Sequence, residues 1–248
     1  MVTKAGKKTF GLDRFFSGVL QKTVPSLAFC SLALIRTTSR RAFPLRLEQV
    51  VRTEAEKAAA KAKAAAKQPK QLTAKRKPRR PKGSKNKPTG DLTLSPELQR
   101  IQRMLQAHLE LIAGRVPLVS LALDGHFGNS PTLQMVQGCG LHLISKLRAD
   151  AALYFPDAGC YQGRGPRRKY GAKLAIDAVP EQFLRQRRVH DGVEPCVYQA
   201  ELLHKEVAQP LNVVVIVKTN LQTQAHAHVL LFSSDLGLAY DKWWRITL

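Results

Sequence analysis

The sequence of residues 95–148 predicts a helix, a strand, a second helix and a second strand, and no other feature constrains the fold as strongly. Apolar residues at helical spacing indicate a helix over 95–114, and an apolar run indicates a strand over 118–123. A helix over 130–140 and a strand over 141–148 follow after short turns. This order is typical of an α/β fold in which a crossover helix joins two parallel strands.

The residues at the helix ends agree with these bounds. Ser95 is a favourable N-cap, Pro96 suits the first helical position and Gly114 ends the first helix. In the second helix, Ser130 is the predicted cap and Pro131 the predicted first helical residue.

Asp124 comes directly after the first strand and is followed by Gly125 and His126. Functional groups gather at the carboxyl ends of strands in such sheets, and a carboxylate there is a candidate ligand for Mg²⁺. The alternative is that Asp124 forms the turn or caps a helix, since Asp is common in both positions. A pair of metal ions would need further carboxylates from other elements. His126 also has two interpretations, a phosphate contact or a turn residue.

The rest of the chain consists of further strands and two insertions. Residues 27–36 and 42–51 predict a hairpin, and residues 53–90 predict an exposed, low-complexity insertion. Within this insertion, residues 53–68 indicate either a solvated helix or a partly disordered stretch, and the Pro-rich, cationic residues 69–90 cannot form a core. Residues 151–210 alternate strand-like pieces with basic turns, which indicates a β-rich insertion. Two more strands are predicted, over 211–220 and 227–235.

The positive charge is concentrated in one segment. The chain has a formal net charge of +22, and residues 52–90 hold fourteen Lys and Arg against two acidic residues. A charge of this sign and size indicates a polyanionic partner, of which nucleic acid is the commonest. A merely basic surface is the alternative.

Two basic clusters are candidates for contacting nucleic acid. The first resembles an AT-hook, which lies in a narrow minor groove, but it has Arg79-Arg80-Pro81 where a hook has Gly-Arg-Pro. Nonspecific attraction to phosphates is its alternative. The second lies in the glycine-rimmed turn 163–171, where Tyr170 is placed to stack on a base and a solvated hairpin tip is the alternative. The candidates are Lys75, Arg76, Lys77, Arg79, Arg80, Lys82, Lys85 and Lys87 in the first cluster and Arg164, Arg167, Arg168 and Lys169 in the second.

The histidines, the cysteines and one apolar run are the remaining candidates for a metal site, a disulfide framework and a membrane span. His226 and His228 alternate along a strand and share a face, which suits either a metal site or a structural role. The cysteines lie far apart without a CxxC pair, so neither a zinc site nor a disulfide framework is expected. The apolar run 27–35 is far shorter than the roughly 20 residues that cross a bilayer. A soluble, cytoplasmic protein without a membrane partner is therefore expected.

Five informative stretches lie along the second half of the chain: "LALDGHFGNSPTLQMVQGCGLHLISKLR", "GRGPRRKYG", "YQAELLHKE", "LNVVVIVKTN" and "HVLLFSSDLGLAY". Together they resemble DDE-type bacterial insertion-sequence transposases. "TKAGKKTFGLDRFFSG" and "RPKGSKNK", nearer the start, belong to the same resemblance.

The resemblance implies an RNase H-like core, a mixed sheet with flanking helices and a β-rich insertion. It also implies that Asp, Asp and Glu bind two Mg²⁺ or Mn²⁺ ions, which drive cleavage and transfer of double-stranded DNA at transposon ends. Asp124 corresponds to the second Asp. The first Asp is expected before Met1 and the Glu beyond Leu248, so the core is expected to be incomplete at both ends. The local acids nearest to those positions are Asp13, Asp235 and Asp241.

The resulting hypothesis is a transposase fragment at the bacterial nucleoid that binds DNA and is inactive alone, because a lone carboxylate cannot position two cations. A homo-oligomer is compatible with the resemblance. The alternatives are a noncatalytic basic DNA-binding protein and an RNA-associated basic protein. The predicted segments are the first part of the core over 1–52, the basic insertion over 53–90, further core over 91–150, the β-rich insertion over 151–210 and core strands over 211–248.

Overall fold

Strands account for most of the secondary structure. The computed structural model describes residues 2–3, 8–65, 93–161, 163, 165 and 167–247, with the backbone alone for 60, 63–65 and 244–247. The chain divides into two compact units, Met1–Leu34 with Ala42–Met104, and Ile35–Arg41 with Leu105–Leu248. The five segments expected from the sequence stay a prediction.

The first unit contains a small antiparallel sheet of β1 (Val2–Thr3), β2 (Asp13–Ser17) and β3 (Lys22–Leu27), in the order β1-β3-β2. The predicted hairpin is confirmed as the two-stranded sheet of β4 (Phe29–Arg36) and β5 (Arg41–Gln49). Helix α1 (Glu54–Ala65) begins with a capping box. In this box the Thr53 N–H donates to the Glu56 carboxylate at 2.8 Å, and the Glu56 N–H donates to the Thr53 hydroxyl at 3.2 Å.

Helix α2 (Pro96–Ile112) confirms the first predicted helix and its cap. The Leu98 N–H donates to Ser95 Oγ at 3.3 Å, so Ser95 satisfies one of the amide groups that a helix start leaves open. The buried side chains of α2 are Leu98, Met104, Leu105 and His108.

The second unit is built on a mixed eight-stranded sheet with the order β6-β7-β13-β12-β11-β8-β9, in which β10 also pairs with β11. Strands β6 and β7 are parallel, as the sequence predicts, and the other neighbours in this sheet are antiparallel. The strands are β6 (Ser120–Ala122), β7 (His142–Lys146), β8 (Leu153–Pro156), β9 (Tyr170–Lys173), β10 (Leu184–Arg187), β11 (Val193–His204), β12 (Pro210–Asn220) and β13 (His226–Ser233).

The apolar run of β12 explains its central position. Residues 211–216 are all buried, and β-branched side chains suit a strand that is covered on both faces. Helix α4 (Tyr240–Thr247) packs Trp243, 2% exposed, into a cluster that includes Val214 and Ile216. Burying a side chain such as Val214 stabilises the fold by about 1.5–3 kcal/mol. The architecture is mixed α/β with one large mixed sheet and few helices, which agrees with the predicted RNase H-like class.

Helix α3 (Ser130–Gly138) connects the parallel strands, but its predicted cap is wrong by one residue. Asn129 is the cap, because its Oδ1 accepts hydrogen bonds from the Thr132 N–H at 3.1 Å and the Thr132 hydroxyl at 2.9 Å. Ser130 is therefore the first helical residue and Pro131 the second. None of the helices in the described part of the chain has the length and apolarity that crossing a bilayer requires.

Candidate active site and nucleic-acid interface

Asp124 is exposed to solvent beyond the carboxyl end of β6. Its carbonyl oxygen accepts hydrogen bonds from Ser145 Oγ and from the Phe127 N–H, both at 2.9 Å. Its Oδ1 accepts the Gly125 N–H at 2.5 Å, which makes Asp124 the cap of the short 3₁₀ turn Gly125–Phe127. The main chain at Asp124 is thus fixed while the carboxylate stays accessible. The capping interpretation is confirmed, and the role as a metal ligand stays a prediction.

The turn after Asp124 lies directly against the end of β7. A β-carbon on Gly128 would lie 2.1 Å from the Lys146 carbonyl oxygen, and one on Gly125 would lie 3.1 Å from Lys146 Cβ. Glycine is required at position 128 because backbone occupies the space of a side chain. His126, in the same turn, is exposed and packs edge-on against Phe127, with ring centroids 5.1 Å apart.

The described residues do not gather enough metal-binding side chains around Asp124 to hold a metal ion as a group. Nowhere in the described ranges do three or more His, Cys, Asp or Glu side chains form a group that fits a metal ion. Asp235 Oδ1 accepts the Gly237 N–H at 2.9 Å within a turn, and Asp241 lies in the first turn of α4. Asp13 belongs to the other unit and forms an ion pair with Arg52 at 3.5 Å. Two metal ions need several carboxylates, so the described residues do not by themselves fit a two-metal centre.

The second basic cluster lies in the connection between β8 and β9. Arg167, Arg168 and Lys169 are all exposed there. Lys169 Nζ donates to the Ala208 carbonyl oxygen and lies 5.8 Å from the centroid of the Tyr170 ring. The structure therefore places three predicted DNA-binding residues on one exposed segment. Arg164 and all candidates of the first cluster, Lys75 to Lys87, lie outside the described residues.

Sequence reasoning missed two residues beside this cluster. The Tyr154 and Tyr170 rings meet edge-on with centroids 5.4 Å apart, and Lys205 Nζ lies 4.8 Å from the Tyr154 centroid. The sheet register brings them together, since β8 pairs with both β9 and β11 and Tyr154 lies opposite Leu203. Long-range register of this kind leaves no local signal in the sequence.

A polar pocket of about 270 Å³ was also missed. Its lining includes Arg185, Gln199, Glu201 and Asn212. Asn212 is 3% exposed, and its Nδ2 donates to the Leu238 carbonyl oxygen at 2.8 Å while its Oδ1 accepts from Gln199 Nε2 at 2.9 Å. The signal in the sequence that could have indicated the pocket is Asn212, a polar residue that interrupts the apolar run of β12.

Arg187 lies opposite Cys196 where β10 pairs with β11. A side-chain hydrogen bond to Cys196 is the largest of the causes that raise the pKa of Arg187 above the usual range. The pKa of Tyr198 on the same strand is raised, chiefly by burial. Arg187 therefore stays charged and Tyr198 neutral at physiological pH.

The two strand histidines have separate partners. His226 Nδ1 lies 3.0 Å from Thr219 Oγ1, and His228 Nε2 lies 3.0 Å from the Ala149 carbonyl oxygen. All four cysteines are free, and burial raises the pKa of the Cys139 thiol.

The comparisons with known proteins identify the family of the chain. A family model described as DDE superfamily endonuclease matches residues 1–194, most of the chain. The chain belongs to this family. No curated protein matches it. The matched part of this DDE superfamily endonuclease contains Asp124 and the basic connection between β8 and β9. The family implies a DNA substrate, and its members generally use divalent metal ions.

Proposed function

We propose that this DDE superfamily endonuclease is of the transposase type, binds double-stranded DNA at the ends of an insertion sequence, and uses Asp124 as one ligand for Mg²⁺ or Mn²⁺. The observation that carries the proposal is the exposed Asp124 carboxylate on a fixed main chain, inside the part of the chain that matches the family. In α/β sheets, functional groups gather at the carboxyl ends of the strands, and Asp124 lies beyond the carboxyl end of β6.

In this proposal, the residues around Asp124 hold its main chain, and therefore its carboxylate, in position. Ser145 and Phe127 hold the Asp124 carbonyl, and the close approach of Gly128 to Lys146 holds the turn on the sheet. We assign no cleavage step to the described residues alone, because among them no group of three or more metal-binding side chains forms around Asp124. The purified chain is therefore expected to bind DNA without cutting it.

The DNA contact is assigned to Arg167, Arg168 and Lys169. Exposed cations on a short connection suit phosphate groups, which position a duplex without reading its sequence. Fluorescence anisotropy with a labelled duplex, measured at several salt concentrations, tests this assignment. Arg167→Ala and Arg168→Ala should each weaken binding and lower the slope of log affinity against log salt by about 1. Lys218→Ala, at an exposed lysine of β12, is the matched control and should change the slope less.

Nicking of supercoiled plasmid in the presence of Mn²⁺ tests whether this chain cuts DNA alone and, if it does, whether cutting needs Asp124. The expected result is no nicking by the wild-type chain and unchanged DNA binding by Asp124→Asn. Nicking that Asp124→Asn abolishes would show a complete centre within this chain and overturn the expected inactivity. Nicking that survives Asp124→Asn would remove Asp124 from the site altogether.

A noncatalytic basic DNA-binding protein is the second candidate, favoured by the fourteen Lys and Arg against two acids in residues 52–90. In that case binding depends on the cluster from Lys75 to Lys87. Alanine substitutions throughout that cluster would then abolish duplex binding, while Arg167→Ala would leave it unchanged. The transposase proposal expects both sets to weaken binding.

A further inference from the structure

The polar pocket beside β11 and β12 has a fixed floor. It lies within the second unit, and β7 and β13 separate its strands from β6, the strand that Asp124 follows. Asn212 is buried, and its Nδ2 donates to the Leu238 and Asp235 carbonyl oxygens at 2.8 and 3.0 Å. Gln199 Nε2 donates to Asn212 Oδ1 at 2.9 Å and to the Leu238 carbonyl oxygen at 2.7 Å. Both amide protons of Gln199 are therefore used, and its carbonyl oxygen is left to meet a ligand.

Glu201 supplies a negative charge to the pocket. It lies opposite Asn212 in the pairing of β11 with β12. Side chains opposite each other in an antiparallel pair share a face of the sheet, and so do residues two apart on one strand. Glu201, Gln199 and Asn212 therefore face the same side. Glu201 is exposed, and it forms no ion pair with any of the described residues.

Arg185 lines the pocket from β10 and supplies a positive charge. Leu184 lies opposite Tyr198 and Gln186 lies opposite Val197, so Arg185 is the extra residue of a β-bulge. A bulge re-aims a side chain that would otherwise follow the alternation of the strand. Arg185 is exposed, and in the described part of the chain it has no acidic partner within ion-pair distance.

The pocket thus presents two opposite charges that do not pair with each other. A simple anion would be attracted by Arg185 and repelled by Glu201, and a simple cation would meet the reverse. A molecule that carries both charges avoids this conflict. Guanidinium groups bind carboxylates through two parallel hydrogen bonds, and an ammonium group has three protons to donate to the oxygens of Glu201 and Gln199.

The size and lining of the pocket narrow the class of ligand. Its volume of about 270 Å³ is below the roughly 300 Å³ from which sites for drug-sized molecules start, which suits a molecule of amino-acid size. None of the described residues that line it is aromatic, so a nucleobase would find no ring to stack on.

We propose that this pocket binds a small zwitterion of the amino-acid class, with its carboxylate on Arg185 and its ammonium group on Glu201 and the Gln199 carbonyl oxygen. The site is independent of the proposed function, because none of these residues contacts DNA or supports Asp124 in that proposal. Exposed charge pairs are individually weak, so a dissociation constant on the order of millimolar is expected.

Equilibrium dialysis of the full chain against radiolabelled amino acids tests the site. Glycine, β-alanine, 4-aminobutyrate and 6-aminohexanoate differ in the separation of their two charges, and at least one of them should bind saturably. Acetate and methylamine, which carry one charge each, should bind on the order of tenfold more weakly than that zwitterion.

Two variants identify the side chains that bind the zwitterion. Arg185→Gln and Glu201→Gln should each weaken binding on the order of tenfold, the effect of losing one charged hydrogen-bonding group. Arg185→Lys, which keeps the charge, should retain more binding than Arg185→Gln. Arg188→Gln, at an exposed arginine outside the lining, is the matched control and should leave the dissociation constant unchanged.

The absence of saturable binding for all four zwitterions would overturn the proposal, and so would unchanged binding in Arg185→Gln or Glu201→Gln. Acetate that binds as tightly as the best zwitterion would identify a plain anion site instead. Guanosine that binds more tightly than all four would identify a nucleobase site, and either result would contradict the assignment. A circular dichroism spectrum that matches wild type excludes misfolding as the cause of a loss. Because the assay contains neither DNA nor a metal ion, its outcome is independent of duplex binding and plasmid nicking.

Discussion

Gly128 lies so close to Lys146 that a β-carbon on the glycine would be 2.1 Å from the lysine carbonyl oxygen. Together with the hydrogen bond from Ser145 Oγ to the Asp124 carbonyl, at 2.9 Å, this contact fixes the turn after β6 on the end of β7. The position of the Asp124 carboxylate therefore depends on backbone packing as well as on its own side chain.

Gly128→Ala should destabilise the second unit by about 1–3 kcal/mol, because the added methyl group meets backbone that cannot rotate away. Urea unfolding followed by circular dichroism measures the change. Gly138→Ala is the matched control, since a β-carbon there meets nothing within 4 Å and alanine favours the helix. Equal stability of the two variants would show that the turn relaxes away from β7 at little cost.

Asn212→Leu should destabilise the fold by about 2 kcal/mol, because Asn212 is buried and its amide satisfies the Leu238 and Asp235 carbonyl oxygens at 2.8 and 3.0 Å. The leucine is similar in size but leaves both carbonyls without this donor. Thermal unfolding measures the effect.

The control for Asn212 is Gln137→Ala, which removes an exposed hydrogen bond to Gln209. Its effect should lie within about 0.5 kcal/mol, as for most surface substitutions. A loss in Asn212→Leu no larger than the loss in Gln137→Ala would mean that water replaces the amide at both carbonyls.

The elements predicted from the sequence are those with a strong local pattern. The parallel pair β6 and β7, the helix between them and the buried strand β12 all follow from periodicity over a few residues. Asp124 was found because it interrupts such a pattern at the end of a strand.

The features that were missed depend on residues far apart in the sequence. Lys205 and Tyr154 meet only because β8 pairs with the last residues of β11. Asn212 acquires its role only when the segment before α4 folds back onto β12. Local composition cannot specify such contacts, because register and loop placement are set by packing of the whole sheet.

Cys160 should react with iodoacetamide faster than Cys139 at pH 8, because Cys160 is exposed whereas burial raises the pKa of Cys139 and lowers its thiolate fraction. The difference should narrow as the pH rises through the folded-state pKa of Cys139. The raised pKa of Cys139 also contributes to the free energy of unfolding. This contribution is fully present below the unfolded thiol's pKa of about 8.5 and is lost as the pH rises through the folded-state pKa. Peptide mass spectrometry over time measures both rates, and faster labelling of Cys139 would contradict its partial burial.

Asn129→Ala should destabilise the protein by about 1 kcal/mol, whereas Ser130→Ala should change its stability by less than about 0.5 kcal/mol. Asn129 Oδ1 accepts two hydrogen bonds from Thr132, while Ser130 already lies inside α3. Asn and Ser are both favourable N-cap residues, so the sequence alone does not decide whether Asn129 or Ser130 caps α3. The stabilities of the two variants decide it. Chemical unfolding of each variant measures the change, and Asn129→Asp, which keeps the acceptor oxygen, should restore most of the loss. A larger effect at Ser130 than at Asn129 would move the start of α3 one residue along the chain and, with it, the connection between β6 and β7.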